Sequence, residues 1–404
     1  MIPFSPPRID DKIVNEVLNA LKSGWITTGP KTKLFEKKIA DYSGVPKVIC
    51  LNSATAGMEM VLRYWGVGPG DEVIIPAYTY CATANVVMHT GATPVMVDVN
   101  SDDFNINSDA IKKAITAKTK VIIAVDFAGF PCDYDEINSI VQEQNVKSLF
   151  SPNNENQKKL GRILVMSDAA HSFGGIYYGT KTGALCDITV FSFHAVKNIT
   201  TAEGGAICFN LPANFDAEEV YKKINTLSLH GQSKDALAKT QKGAWEYDVE
   251  EPGYKCNMTD IHAAIGLIEI DRYEEDLEKR KSIFDAYAKA LEKYTWAEIP
   301  IYETPVKISS YHVFALKIKG VSLTQRNTII QKIFDFDVSV NVHFKPLPLL
   351  TAYSKRGYNI TDYPVSLDHF SREISLPVYF DLSPEQVQTV IDAVVKSVDE
   401  VIQL

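Results

Sequence analysis

Positive charge is scarce in this sequence: 41 Lys and Arg stand against 50 Asp and Glu, a formal net charge of −9. That balance argues against a dedicated binder of nucleic acid or of an anionic membrane. A small anionic ligand needs only a local pocket and stays open. No stretch approaches the ~18 uninterrupted apolar residues of a membrane span. Met1–Pro7 is proline-rich and lacks the basic-then-apolar order of a secretion signal, so the chain is expected in the cytoplasm. The six cysteines (Cys50, Cys81, Cys132, Cys186, Cys208, Cys256) are scattered, with no C-x-x-C. Most lie inside apolar runs, which predicts reduced, buried thiols rather than a disulfide framework. No His/Cys/Asp spacing suggests a metal site, and there is no internal repeat or low-complexity tract.

What is present is the composition of a globular chain: 46% hydrophobic and 23% charged residues over 404 positions. At ~100–200 residues per domain, that length predicts two domains, or one large α/β unit with an appendage. Short apolar runs without polar alternation recur at Val73–Ile75, Val95–Val97, Val121–Val125, Ile163–Met166 and Ile188–Phe191. Such runs suit strands of a mainly parallel sheet covered by helices. Amphipathic stretches between them, such as Asp109–Ala117 and Tyr134–Gln144, complete the strand–helix alternation of an α/β fold. Thr259–Ala290 reads as one or two long helices, with a domain change near residue 271. Beyond it, strands at Tyr311–Ile318 and Val338–Val342 and helices at Thr324–Phe334 and Pro384–Val401 predict a smaller α+β domain. Ser148–Gly161 is polar and rich in turn formers, and is expected as an exposed loop.

Three segments carry chemistry. In Asn52-Ser53-Ala54-Thr55-Ala56-Gly57-Met58, small residues separate an apolar strand from a helical pattern. A helix amino terminus that ligands can approach closely is a phosphate site, although the same residues would serve as an ordinary N-cap. In Ser167-Asp168-Ala169-Ala170-His171, an acid ends the Ile163 strand, and parallel sheets bind ligands outside the carboxyl ends of their strands. An Asp that merely caps the next helix is the plainer alternative. Third, Lys197 sits in Phe193-His194-Ala195-Val196-Lys197-Asn198, just past an apolar strand and ahead of Gly204-Gly205. Most lysines are solvated; one among apolar flanks sheds its proton more readily and can form a Schiff base.

Taken together with Ser23-Gly24-Trp25-Ile26-Thr27-Thr28-Gly29-Pro30, Pro76–Tyr80, Gly91–Val99 and Pro252–Asp260, these segments resemble the DegT/DnrJ/EryC1/StrS sugar-nucleotide aminotransferases. The resemblance covers nearly the whole chain and is nearest to the UDP-4-amino-4-deoxy-L-arabinose type, which aminates a UDP-4-keto sugar. It implies the fold-type I architecture of pyridoxal-phosphate enzymes. That is a large domain, 1–270, with a mainly parallel mixed sheet flanked by helices, and a small C-terminal α+β domain, 271–404.

Carried over by position, the resemblance implies that Lys197 forms the Schiff base with pyridoxal 5′-phosphate and that Asp168 pairs with its pyridine nitrogen. His171 would lie near the phenolic oxygen, Tyr80 would stack on the ring, and Ser192 with the backbone at Thr55 and Ala56 would hold the phosphate. Asn257 would reach the cofactor phosphate of the neighbouring subunit, making a homodimer with shared sites. His343 would stand near the sugar nucleotide. The implied reaction moves an amino group from an amino acid, L-glutamate by resemblance, to a nucleotide-linked keto sugar for surface-polysaccharide or amino-sugar biosynthesis.

Alternatives within the family are a 3-keto sugar aminotransferase and a pyridoxamine-phosphate-dependent deoxysugar dehydratase, which has histidine in place of the lysine. A regulatory protein that kept the fold would be expected to lose Lys197, Asp168 or the phosphate residues. Two positions depart from the family pattern: Ser167 stands where glutamate is common, and Asp126 where histidine is. Of the remaining histidines, His194, His230 and His312 are candidates to line the site, whereas His89, His262 and His369 read as structural or surface residues.

Overall fold

The computed structural model describes residues 1–233 and 246–402. Its strands are β1 (Lys47–Leu51), β2 (Glu72–Pro76), β3 (Thr93–Val97), β4 (Thr119–Val125), β5 (Leu164–Asp168), β6 (Ile176–Tyr177), β7 (Thr180–Lys181), β8 (Ile188–Ser192), β9 (Gly205–Phe209), β10 (Ala297–Glu298), β11 (Lys307–Ile308), β12 (Phe314–Ile318) and β13 (Glu373–Leu376). Seven of them form one sheet in the order β1-β9-β8-β5-β4-β2-β3. The β2, β3, β4, β5 and β8 pairings are parallel; β9 runs against both its neighbours. The apolar runs predicted a mainly parallel sheet, and its mixed character is the one the resemblance implied. β4 is buried at every position and β5 likewise, because helices cover both faces.

Parallel pairing aligns the carboxyl ends of β4, β5 and β8 on one edge. Val125 pairs with Asp168 and Asp168 with Val190, so Asp168 and, two residues beyond Val190, Ser192 emerge at the same edge. β9 starts at that same edge, with Gly205 opposite both Leu51 and Ser192. A Cβ on Gly205 would lie 2.4 Å from the Ala54 nitrogen and 2.5 Å from the Ser53 carbonyl carbon. Only glycine lets β9 pass this close to the helix Ala54–Tyr64.

Two helices span the predicted long helical stretch, Asp260–Asp271 and Tyr273–Leu291, separated by Arg272. Past them, β10-β12-β13 form an antiparallel sheet, with helices Leu323–Asp335 and Pro384–Ile402 beside it. Val338–Val342 differs from expectation. It makes only isolated bridges, Val338 to Ile2 of the amino terminus and Asn341 to Ser375 of β13, so it is held at two points rather than paired as a full strand. The first residues therefore lie against the C-terminal part of the chain.

Ser148–Gly161 is mostly exposed, as its composition suggests, but it is not irregular throughout. It contains a short helix, Glu155–Leu160, capped by the Asn154 side chain and ended by Gly161 in the left-handed conformation. Gln157 is fully buried, and both it and Asn154 donate to the Trp65 carbonyl, at 2.8 and 2.9 Å. A buried amide that ties off the end of another helix fixes this segment in place.

Candidate active site

Asp168 ends β5 with its carboxylate buried. Oδ2 accepts from Thr83 Oγ1 at 2.8 Å and Oδ1 from the Ala170 N–H at 3.3 Å. Burial pushes its pKa up, while Thr83, Ala170 and Lys197 work against that rise. No cation is bonded to it among the described residues, so it is a buried acid whose charge is left for a ligand to balance.

Lys197 follows β8 in a turn held by its own N–H to the His194 carbonyl, 2.9 Å. Its ammonium has no hydrogen-bond partner among the described residues. Burial lowers its pKa to about 8, against the attraction of Asp168. This side chain is the uncharged amine over much of the range above pH 8, the state that attacks a carbonyl.

His171 sits on the turn after β5. Its Nδ1 accepts from the Ala128 N–H at 3.3 Å, which leaves the proton on Nε2. Burial, and after it the neighbouring Lys197 and His343, hold its pKa well down. Its ring is 4.4 Å from that of His312, whose Nδ1 is 2.7 Å from Asn198 Oδ1.

The helix Ala54–Tyr64 begins at the same edge. Ser53 caps it by accepting from the Ala56 N–H at 3.1 Å. The Ala56 amide is thereby used, and the amides of Ala54 and Thr55 are the unpaired donors of the first turn. Thr55 and Ser192 line the cavity; Ala56 does not.

One cavity of about 380 Å³ gathers Thr55, Tyr80, Asp168, His171, Ser192, Lys197 and His343. Tyr80 is 61% exposed, at the mouth. Asn257 stays outside: its Nδ2 donates to Thr28 Oγ1 at 2.6 Å and its Oδ1 accepts from Lys255. His194 lines the cavity with Glu203 and Phe344, whereas His230 does not reach it. His369 is buried against Phe104 and bonded to the Asn100 carbonyl, a structural residue as expected. Thr83 was not singled out by the sequence; a threonine inside the helix Cys81–His89 carries no motif, and only the fold brings it to Asp168.

The two departures from the family pattern meet in one network behind Asp168. Asp126 accepts from Tyr134 OH at 2.7 Å, Ser172 Oγ at 2.6 Å, the Cys132 N–H at 3.0 Å and Ser167 Oγ at 3.3 Å. Burial raises its pKa. The six cysteines are unpaired, and among the described residues no cluster of His, Cys, Asp and Glu could hold a metal ion. No helix among them is long and apolar enough to cross a membrane.

A buried acid, an unpaired amine of lowered pKa and a helix amino terminus beside a glycine-lined crossing fit pyridoxal phosphate: a protonated ring nitrogen, an aldehyde and a phosphate.

Comparison with known proteins gives the same picture. The model of the DegT/DnrJ/EryC1/StrS aminotransferase family matches residues 7–150 and 156–395. The putative sugar aminotransferase Spr1654 of Streptococcus pneumoniae, solved in its PMP form, is 47% identical. The match covers 99% of this chain and 100% of that one, with a TM-score of 0.96. Its PLP form matches at 46% identity and a TM-score of 0.95. The spore coat polysaccharide biosynthesis protein SpsC of Bacillus subtilis is 35% identical over 397 residues, 97% of this chain and 96% of its own. The protein MJ1066 of Methanocaldococcus jannaschii is 39% identical over 402 residues, 99% of this chain and 98% of its own.

Proposed function

This chain belongs to the DegT/DnrJ/EryC1/StrS aminotransferase family, and from that premise we propose that it carries an amino group from L-glutamate to a nucleotide-linked keto sugar. The favoured acceptor is a UDP-4-keto sugar, supported by the Gly24–Pro30, Ser53–Met58 and Phe193–Thr200 segments. Its cofactor is pyridoxal 5′-phosphate, as befits a chain 46–47% identical to an enzyme solved in PLP and PMP forms. The observation that carries the reading is the unpaired Lys197 amine facing the same cavity as buried Asp168.

When bound, the cofactor supplies an aldehyde carbon for amines and a ring that takes up electron density. Thr55, Ser192 and the free amides of the first helical turn hold its phosphate. Asp168 keeps a proton on the ring nitrogen through charge. His171 offers its Nε2–H toward the phenolic oxygen. Lys197 would take the proton from the donor's α-carbon on its Nζ as a base and give a proton back from the same nitrogen as an acid. For the sugar, Lys197 performs the same transfers in reverse. A dehydratase of this family uses histidine at this position, and Lys197 speaks against it.

The reading extends to assembly and setting. Asn257 lies outside its own chain's cavity, which suits a residue that serves a partner. Val14, Leu18 and Leu21 are exposed at helical spacing on the first helix, Asp11–Lys22, with Ile26 exposed nearby, an apolar stripe that suits a dimer contact. The division into domains 1–270 and 271–404 falls beside Arg272. The name of SpsC supports a place in surface-polysaccharide synthesis, and unpaired cysteines suit the cytoplasm.

Reduction of the yellow protein with borohydride tests the assignment. Mass spectrometry of the digest should find the pyridoxyl group on the peptide containing Lys197. A pyridoxyl group on another lysine, or on none, would overturn it.

A further inference from the structure

Side chains alternate along a strand, so β13 points Glu373 and Ser375 to one face and Ile374 and Leu376 to the other. All four are buried. Asn341 pairs with Ser375 by N–H···O bonds of 3.1 and 2.8 Å, which lays the backbone before His343 along β13. His343 Nδ1 is consequently 2.8 Å from Ser375 Oγ. Ser375 Oγ in turn bonds Glu373 Oε1, and Glu373 Oε2 accepts from the His343 N–H at 3.0 Å. Three side chains thus run in series from a fully buried carboxyl to a ring that lines the cavity beside Lys197. At the cavity end, Nε2 has no hydrogen-bond partner among the described residues.

Each link can be made in two senses. An ionised Glu373 only accepts, so Ser375 donates to it and accepts from Nδ1–H, and Nε2 presents a bare lone pair. A protonated Glu373 donates to Ser375, Ser375 donates to Nδ1, and Nε2 carries the hydrogen.

We propose that Glu373, through Ser375, is the positioning residue that sets whether His343 offers an acceptor or a donor to the sugar substrate, and that it receives the proton His343 takes up there. The step balances. Nε2 gains a proton from a substrate hydroxyl or ammonium, Nδ1–H passes to Ser375 Oγ, and the serine proton passes to the Glu373 carboxylate. His343 is neutral before and after. The source of that proton rests on the sugar reading above; the switch of polarity does not.

The surroundings suit it. Burial pushes the Glu373 pKa up to about 8, opposed by Ser375, the His343 N–H and Arg326. Burial and then Lys197 hold His343 down at about 3, so its ring stays uncharged near neutrality. His171 is edge-on at 6.1 Å, and both it and His312 are held uncharged by burial. Tyr78 OH donates to the His343 carbonyl at 2.7 Å, and Arg326 to the Glu373 carbonyl at 2.8 Å. Lys317 stands opposite Glu373 in the β12–β13 register, but its ammonium turns to Glu298 and to the Ser101 carbonyl. Phe4 stacks on the His343 ring at 5.7 Å.

The test is the imidazole nitrogen spectrum of histidine-labelled holoenzyme without sugar, from pH 6.5 to 9.5, with His343→Gln used to assign the resonances. Wild type should pass from the Nε2–H to the Nδ1–H tautomer with a midpoint near pH 8. In Glu373→Gln the His343 N–H keeps the amide oxygen in the Oε2 place, so the amide NH₂ faces Ser375 and Nε2–H should persist throughout. Ser375→Ala should abolish the switch while the carboxyl remains, and it decides the matter if the glutamine variant does not fold. One tautomer across the range in wild type, or a switch that survives either variant, would overturn the proposal.

A kinetic arm then reads the proton's destination. Glu373→Gln should slow the keto-sugar half-reaction roughly tenfold to a hundredfold and flatten its pH step, leaving the amino-acid half-reaction within a few-fold. Equal slowing of both halves would overturn the proton-uptake step. A wild type that switches tautomer yet aminates no keto sugar would uphold the switch and overturn the sugar reading alone.

Discussion

A lysine is useful as a nucleophile only when it is unprotonated, and at Lys197 burial outweighs the attraction of Asp168. Its pKa of about 8 has a direct consequence. Capture of pyridoxal phosphate by the apoprotein needs the free amine, whose share rises as pH climbs through the pKa. Between pH 7 and pH 9 the capture rate should rise about tenfold and then level off; an ordinary lysine would give about a hundredfold rise across a similar interval with no plateau below pH 10. Stopped-flow absorbance at several pH values distinguishes the two, and a rise continuing past pH 10 would show that Lys197 is not desolvated. The residue scale is also where the sequence was most informative. Lys197, Asp168 and His171 each follow an apolar run, and the strand ends deliver them to one cavity. Thr83 and Glu373 were not legible, because their partners lie 85 positions away at Asp168 and 30 away at His343. Only packing makes those pairs.

At the scale of elements, the site depends on β9 passing close to the start of the Ala54–Tyr64 helix. Gly205→Ala would put a methyl group against the backbone at Ser53 and Ala54, where nothing can rotate away. The expected outcome is a displaced helix terminus, with cofactor affinity weakened at least about tenfold, or ~1.4 kcal/mol, and a lowered Tm. Fluorescence titration of the apoprotein checks this; wild-type affinity would mean that the crossing has slack. Apolar runs announced β2, β3, β4, β5 and β8, because strands buried on both faces need no polar alternation. The two-residue strands β6, β7, β10 and β11 are too short to leave a pattern. Ser148–Gly161 is exposed as its composition implied, but its short helix was not legible, because Gln157 and Asn154 spend their amides on the Trp65 carbonyl, a partner about 90 positions away.

For the whole molecule, the proposed dimer makes a claim that single chains cannot satisfy. If Asn257 serves the partner's phosphate, Lys197→Ala and Asn257→Asp are each inactive alone, the second by placing a carboxylate against the phosphate. A mixed dimer then holds one site with both lesions and one with neither. Co-refolding equal amounts should restore up to about a quarter of wild-type activity, since half the dimers are mixed and each has one intact site of two. Background activity after verified subunit exchange would place Asn257 in its own chain's site. The central claim is the transfer itself, and nitrogen tracing measures it most directly. The enzyme is given ¹⁵N-glutamate with a panel of UDP-, dTDP- and GDP-linked keto sugars, and the products are weighed. The account predicts one ¹⁵N in the sugar product for each 2-oxoglutarate formed, best with a UDP-4-keto sugar and absent in Lys197→Ala. A keto sugar consumed without gaining the label would contradict it.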